Sequence, residues 1–136
     1  MKVALVSSVT PELDELWSHA YRDVKVKRGG EALLTTLGDP GSGGEFLASL
    51  ASSSSLWMVT ESGLVKGFGI CREGVVEAIY VAPEFRRQRV ATTLVKTLLA
   101  SESPPVDAYA LPGDRAMKSL YESLGWKARL LTMRDG

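Results

Sequence analysis

The chain has 136 residues, a length typical of one domain, with 45% apolar and 24% charged residues. Its 16 acidic and 16 basic side chains give a formal net charge of zero, which argues against a surface built for nucleic acid or anionic lipid. One cysteine and one histidine exclude an internal disulfide and any metal site built from several such residues. No apolar run approaches the ~20 residues of a membrane span, and none resembles a signal peptide, so we expect a single cytoplasmic domain over residues 1–136.

The first half of the chain predicts one strand followed by helices. A short apolar run predicts a strand over residues 2–7. Thr10 and Pro11 then supply a capping hydroxyl and a proline at the first helical position, after which apolar residues recur at helical spacing as far as Val24. Shorter helices are predicted over residues 31–37 and 45–51, on either side of a glycine-rich loop.

Three strands are predicted next, over residues 56–61, 64–71 and 75–81. Each is rich in strand-forming residues. The connections Ser62-Gly63 and Glu73-Gly74 are two residues long with glycine second, which favours tight hairpins. We therefore expect an antiparallel meander.

The last third of the chain predicts helix, strand, helix and strand. Apolar residues from Val90 to Leu99 repeat with a period near 3.6, which is typical of a helix. A strand is predicted over residues 106–111, a helix capped by Asp114 follows, and a final strand is predicted over residues 126–133. The whole order predicts an α/β (α+β) fold: a mixed sheet with helices on its faces, built from a meander and then strand–helix–strand–helix–strand.

A strand end, a basic turn and a helix start follow one another between Val81 and Thr92. The unpaired N–H groups and partial positive charge of a helix's first turn form an anion site. Arg86, Arg87 and Arg89 add positive charge to this turn. Two interpretations stay open from the residues alone: the turn binds a phosphate-bearing cofactor, or the arginines belong to a solvated helix start.

The same turn and the later helix match two patterns of one family. Its first signature has a lead-in of valine, proline, acid and aromatic residue, then arginine and a closing small residue, matched here by Val81, Pro83, Glu84, Phe85, Arg86 and Ala91. Its second pattern is matched at Asp114, Tyr121, Gly125 and Trp126. In these residues and in element order the chain resembles the GNAT superfamily of N-acetyltransferases. The resemblance implies a GNAT-like acyl-CoA N-acyltransferase fold over most of the chain, with acetyl-CoA as co-substrate.

Three departures from the family pattern are visible. The signature glycine is Arg89 here, whose side chain either narrows the pyrophosphate site or reaches a phosphate. Met117 replaces a small alanine beside the pantetheine arm. The family usually adds a strand after the one that begins at Trp126, and we expect that strand to be absent or to come from a partner in a homodimer.

The resemblance implies which residues hold the cofactor. The cofactor-binding residues implied are Ile79, Tyr80, Val81, Arg86, Arg87, Gln88, Arg89, Val90, Ala91, Thr92, Asp114 and Met117. The strand residues would line the pantetheine arm, a bulge there would present an N–H to the thioester oxygen, and the N–H groups of residues 87–92 would take the pyrophosphate.

Two residues are candidates for proton transfer. By resemblance, Tyr121 is the general acid for the leaving sulfur; the alternative is a tyrosine that only packs on the apolar helix face. Glu77 is the candidate base, since strand alternation places it on one face with Ile79 and Val81; the alternative is a solvent-facing strand residue.

The function expected from the resemblance is transfer of an acetyl group from acetyl-CoA to a primary amine of a small molecule or peptide by direct attack. Two alternatives remain: an acetyl-CoA-binding module with little catalysis, and an interaction domain that uses the patch from Arg86 to Arg89. The zero net charge argues against a nucleic-acid version of the second. The acceptor groove is expected between residues 24 and 44 and the final strand.

Overall fold

A five-stranded sheet organises residues 1–135, the part of the chain that the computed structural model describes. The strands are β1 (Lys2–Leu5), β2 (Leu56–Glu61), β3 (Leu64–Arg72), β4 (Val75–Val81) and β5 (Asp107–Ala108). The helices are α1 (Pro11–Val26), α2 (Gly30–Thr36), α3 (Glu45–Ser52), α4 (Val90–Ser101) and α5 (Arg115–Ser123). The predicted α/β class and the order of these elements are confirmed.

The strands lie in chain order, antiparallel from β1 to β4 and parallel between β4 and β5. Both predicted hairpins form. Their turn residues all have positive φ, with 53° at Ser62, 78° at Gly63, 51° at Glu73 and 76° at Gly74. This is the pattern of a type I′ turn, whose twist matches that of the strands it joins.

The helix caps also follow the sequence. Thr10 Oγ1 accepts a hydrogen bond from the Leu13 N–H at 3.2 Å, and Pro11 occupies the first position of α1. Asp114 Oδ1 accepts one from the Met117 N–H at 3.1 Å, which fixes the start of α5. No helix within residues 1–135 is long and apolar enough to cross a bilayer.

The core has two parts, one on each face of the sheet. On one face, α1, α2 and α3 cover Phe68 and Ile70 of β3 and Tyr80 of β4. On the other face, α4 packs Leu94 and Leu98 against strand residues, and both side chains have no exposed surface. β4 therefore lies between two apolar layers, which gives the sheet a rigid centre.

β4 contains a bulge at Glu77 that changes the expected alternation. Cys71 pairs with Val76, but Ile70 pairs with Ala78, so Glu77 is the extra residue. Beyond it, Ile79 packs in the α4 layer together with Val76. The prediction that Glu77 shares a face with Ile79 and Val81 is wrong, because the bulge shifts the period-two alternation by one residue.

Two strand predictions near the carboxyl end need correction. The strand predicted over residues 106–111 is only the two-residue β5, and residues 126–133 form no strand. Leu130, Leu131 and Met133 are 89%, 68% and 79% exposed. A strand needs a neighbour along its length, and two residues of β5 offer almost no ladder for a further strand to join.

Candidate functional site

The sheet opens between β4 and β5. These parallel strands pair only at Val75 with Asp107 and at Val76 with Ala108. The Tyr109 N–H still donates to Val76 O at 3.0 Å, and no pairing with β5 follows it. The carboxyl-terminal half of β4 is therefore an open edge, bonded to β3 on one side only.

Backbone direction along this edge follows from one hydrogen bond. The Ala82 N–H donates to Lys66 O at 2.9 Å and so faces β3. Because backbone groups alternate in direction along a strand, those of Val81 and Ile79 face the opening and those of Tyr80 face β3. The open edge thus presents the N–H and C=O groups of Ile79 and the N–H of Val81 to a ligand that enters the gap, while Val81 O accepts a hydrogen bond from Arg86 Nε.

The turn after β4 leads into α4 through two residues in the left-handed region. Arg87 and Arg89 both have φ of 64°, and Arg89 is the residue directly before the helix. The first intrahelical bond runs from the Thr93 N–H to Arg89 O at 3.0 Å. The N–H groups of the first turn, including Ala91 and Thr92, therefore have no carbonyl partner within α4, and they form the anion site that the sequence predicts.

Arg86 ties this turn to α1. Its Nε donates to Val81 O at 3.1 Å, its guanidinium lies 5.6 Å from the centre of the Tyr80 ring, and Nη2 is 3.9 Å from Asp23 Oδ2. The Tyr80 hydroxyl donates to the same Asp23 oxygen at 2.6 Å. The side chains of Arg86 and Tyr80 are thus occupied within the protein, so what they present to a ligand is mainly backbone.

Contacts with other residues of the protein also hold the neighbouring Gln88 and Val90. Lys66 Nζ lies 3.4 Å from Gln88 Oε1 and 2.7 Å from Glu61 Oε1, and it sits over the Phe85 ring. Val90 is 2% exposed and packs in the α4 layer, which leaves its N–H as the group that a ligand could reach. Anchors on both sides therefore fix the backbone of the turn.

Tyr121 lies on α5 with its hydroxyl buried and without a hydrogen-bond partner among the described residues. Its ring stacks on Trp126, with centroids 5.1 Å apart and planes at 19°. Burial, and then the nearby Asp114 charge, raise the pKa of this hydroxyl above its ordinary value, so it is protonated at neutral pH. A buried hydroxyl without a partner is costly, and ligand binding is one explanation for it.

Glu77 is buried by an ion pair. Arg72 Nε and Nη2 donate to its two carboxylate oxygens, the second at 3.2 Å, and Arg72 Nη2 also donates to Leu37 O. The hydrogen bond to Glu77 raises the pKa of the Arg72 guanidinium. The side chain of Glu77 is 9% exposed, so the alternative of a solvent-facing strand residue is wrong.

A cavity of about 70 Å³ joins several of these groups. It lies between α1, α2, the open half of β4 and the start of α5. Its lining includes Glu77, Ile79, Tyr80, Asp114 and Met117 from the predicted site, and Trp17, Tyr21 and Leu34 from the helices. The cavity is thus mostly apolar and aromatic, and its charged lining residues are Glu77, Asp114 and Lys27.

The sequence missed the residues that hold the predicted ones in place. Arg72, Asp23 and Lys66 each fix a predicted site residue, and none has a motif position. Arg72 and Glu77 flank the Glu73-Gly74 turn with opposite charges, and this is the one signal that could have identified the pair.

Solved structures that match the chain include three proteins with the same fold. A ribosomal-protein-alanine N-acetyltransferase from Brucella melitensis biovar Abortus 2308 matches with a TM-score of 0.56 and 18% identity, over 98% of this chain and 100% of that one. AAC(6')-Iy in complex with the bisubstrate analogue CoA-S-monomethyl-acetylneamine matches at 0.60 and 16%, over 99% and 97%. Apo-form YjaB from Escherichia coli matches at 0.55 and 19%, over 90% and 80%. At sequence identities this low, the comparison shows that the three proteins share the fold of this chain and shows nothing further.

The sequence itself also matches a family. Among curated proteins, none matches the chain significantly. The family model of the acetyltransferase (GNAT) domain matches residues 52–128, more than half of the chain. This span contains the meander, the open edge of β4, the basic turn and Tyr121. The chain therefore belongs to the acetyltransferase (GNAT) domain family.

Proposed function

We propose that the protein transfers the acetyl group of acetyl-CoA to a primary amine of a small molecule or peptide by direct attack of the amine. One observation carries the proposal: the parallel β4–β5 pair opens after two residues, directly beside a helix start with free N–H groups. An extended thiol arm fits along such a strand edge, and a diphosphate fits at such a helix start.

The chain's own groups match the parts of acetyl-CoA. The first-turn N–H groups of α4, with Ala91 and Thr92, would hold the pyrophosphate. The open backbone groups of Ile79 and Val81 would hold the amides of the pantetheine arm, and Met117 would border it. When bound, acetyl-CoA supplies the activated acetyl group; the protein supplies position and proton transfer.

Two side chains are proposed to move protons. Tyr121 would donate its proton to the departing sulfur, a role that suits a hydroxyl that is buried, protonated and without a protein partner. Glu77 would take the proton of the amine, directly or through water, from its place in the wall of the cavity. The ion pair with Arg72 would orient the Glu77 carboxylate for this step.

The cavity between α1, α2 and β4 is the proposed acceptor site. Its two acids, Glu77 and Asp114, outnumber its one cation, Lys27, which favours a cationic amine over an anion, and its aromatic walls exclude water around the nitrogen. The structural neighbours include a protein named as a ribosomal-protein-alanine N-acetyltransferase and one bound to the bisubstrate analogue CoA-S-monomethyl-acetylneamine, which supports both a peptide amine and a small-molecule amine as proposed acceptors. We propose a cytoplasmic enzyme with no nucleic-acid or membrane partner, and leave a homodimer as an option for completing the sheet.

A binding experiment tests the cofactor site. Ala91→Glu places a negative charge in the first turn of α4. The helix dipole tolerates this charge, so the helix should still form, but the charge repels a bound pyrophosphate. Ala100→Glu places the same charge at the exposed far end of the helix as a matched control. By calorimetry, we expect acetyl-CoA to bind the wild type and the control, and to lose at least about tenfold in affinity to the Ala91→Glu variant. Equal affinity for both variants would place the cofactor elsewhere.

A turnover screen separates the enzyme from its alternatives. Acetyl-CoA is offered with small amines and with peptides, and release of free thiol is followed. Turnover with an amine supports the enzyme. Tight binding without turnover on any amine favours a binding module, and the absence of binding at high micromolar protein favours an interaction domain that uses the turn from Arg86 to Arg89.

A further inference from the structure

A second cleft, of about 250 Å³, continues outward from the cavity. It is lined by Lys27, Arg28, Leu111, Gly113 and Asp114. Three of these, Lys27, Leu111 and Asp114, also line the inner cavity, so the two spaces adjoin. The route to the proposed acceptor site therefore passes two cations.

The turn that carries these cations is held firmly. Gly29 has φ of 79°, and a Cβ there would lie 2.6 Å from Pro112 Cδ. At Gly30, a Cβ would lie 1.6 Å from the Val24 carbonyl oxygen. Glycine at these two positions permits close packing of the turn on Pro112 of the loop after β5 and on the last turns of α1. The backbone that carries Lys27 and Arg28 is thus packed against its neighbours at the mouth of the cleft.

Lys27 and Arg28 are unpaired within the part of the chain that the structure describes. Within residues 1–135, no carboxylate forms a salt bridge with Lys27 or Arg28. The one acid in the cleft, Asp114, already accepts the N–H that caps α5. The mouth therefore carries a local positive charge on a chain whose net charge is zero.

We infer that the acceptor is an amine that also carries an anionic group, a carboxylate or a phosphate, which Lys27 and Arg28 bind while the amine enters the inner cavity toward Glu77. This inference rests on the proposed acetyl transfer and adds the substrate class. Glu77 lines only the inner cavity and Arg28 only the outer cleft, while Lys27 and Asp114 lie where the two spaces meet. A molecule with its amine toward Glu77 and its anionic group toward Arg28 and Lys27 therefore matches the site in one direction.

Matched amines test the inference. Butylamine is compared with 4-aminobutyrate, which adds a carboxylate, and with 3-aminopropyl phosphate, which adds a phosphate. We expect kcat/KM to favour at least one anionic amine by about three- to tenfold over butylamine, the scale of two partly exposed ion pairs, and the preference to shrink as salt is raised. The two anionic amines distinguish a carboxylate from a phosphate as the bound group.

A charge reversal at the mouth sharpens the test. Lys27→Glu with Arg28→Glu should remove or invert the preference for the anionic amines over butylamine. Lys2→Glu with Lys96→Glu changes the net charge by the same amount at exposed positions of β1 and α4, and should keep the preference. Circular dichroism confirms that both variants fold.

The outcomes separate the two proposals. Equal kcat/KM for all three amines in the wild type overturns the inference and leaves acetyl transfer intact. A weaker acetyl-CoA affinity of the Lys27/Arg28 variant, by calorimetry, would assign these cations to the cofactor's phosphates and also overturn it. Tight acetyl-CoA binding with no turnover of any amine overturns the proposed function, and the inference with it.

Discussion

The two edges of β4 differ in almost every respect. Toward β3, the strand is paired from Val75 to Val81, and the helices on both faces bury side chains such as Phe68 to 1% exposure or less. Toward β5, the strand is paired at only two residues. On this side the Tyr121 hydroxyl lies buried without a hydrogen-bond partner among residues 1–135, and residues 127–135, beyond α5, are exposed. The difference indicates that most of the stabilising contacts lie on the closed side and that the open side has backbone groups available to a ligand, as the proposed function requires.

Removing a large side chain from the closed side should have the largest effect. Phe68→Ala is expected to cost about 3–5 kcal/mol of unfolding free energy, because it leaves a cavity between β3, Trp17 and Tyr80. Leu131→Ala, at a residue 68% exposed beyond α5, should stay within about 0.5 kcal/mol. Urea denaturation measures both, and comparable losses would show that the tail is part of the core.

Tyr121→Phe should change the open side without changing the closed one. We expect kcat to fall by roughly ten- to a thousandfold, as for loss of a general acid, with thermal stability unchanged or slightly higher because the hydroxyl has no partner to lose. Steady-state kinetics and thermal denaturation are the readouts. An unchanged kcat would leave Tyr121 as a packing residue against Trp126.

Glu77→Gln tests the second proton-transfer residue. We expect kcat to fall by about ten- to a hundredfold, and the low-pH limb of the pH–rate profile to move, because the group whose protonation it reports is gone. Arg72→Lys keeps the positive charge but loses the two-point hold on the carboxylate, and should lower kcat by a smaller factor. If the low-pH limb of the pH–rate profile does not move in either variant, the base is water or another residue.

The turn after β4 offers a smaller test of stability. Arg89 occupies the left-handed region, which costs a non-glycine residue about 1 kcal/mol, so Arg89→Gly should raise or preserve the free energy of unfolding. Lys96→Gly, at an exposed position inside α4, should lower it by about 1 kcal/mol. Thermal denaturation compares the two variants.

The acetyl-CoA affinity of Arg89→Gly then decides between the two roles that the sequence left open for Arg89. Weaker binding means that the guanidinium reaches a phosphate, and tighter binding means that the side chain narrows the pyrophosphate site.

The smallest effect concerns acid stability on the closed side. Lys66 and the amino terminus lower the pKa of the Glu61 carboxyl from 4.5 to about 2. The resulting stabilisation is present above the unfolded pKa and is lost as the pH falls from 4.5 toward 2. Glu61→Gln should therefore lower Tm at pH 7 and match the wild type near pH 2, whereas Glu122→Gln, on the exposed surface of α5, should show no such trend.

Features set by neighbours in the chain were predictable. The I′ turns, the caps of Thr10 and Asp114, and the apolar period of α4 all follow from local residue chemistry. The order of the elements and two spaced motifs then predict the family. The roles of Tyr121, Glu77 and the cofactor residues stay predictions.

Features set by pairing across the fold were not predictable. Residues 126–133 have the composition of a strand, but whether they form one depends on a partner edge, and β5 is too short to supply it. The resemblance implied a bulge among Ile79, Tyr80 and Val81, whereas the structure has it at Glu77. Its position depends on the register between β3 and β4, which no run of residues reveals. Asp23, the hydrogen-bond partner of Tyr80, comes from the distant helix α1 for the same reason.

The extra residue in β4, Glu77, shifts the alternation of side chains between the two faces of the sheet by one position. Val76 and Ile79 face α4 although they are three positions apart, and Glu77 and Ala78, which are adjacent, both line the cavity on the opposite face. Deleting residue 77 would restore regular alternation with every remaining side chain on its present face. Deleting a residue beyond the bulge, such as Tyr80, would instead move every side chain on one side of the deletion to the opposite face of the sheet. The length of β4 is therefore free to change at the bulge and fixed along the rest of the strand.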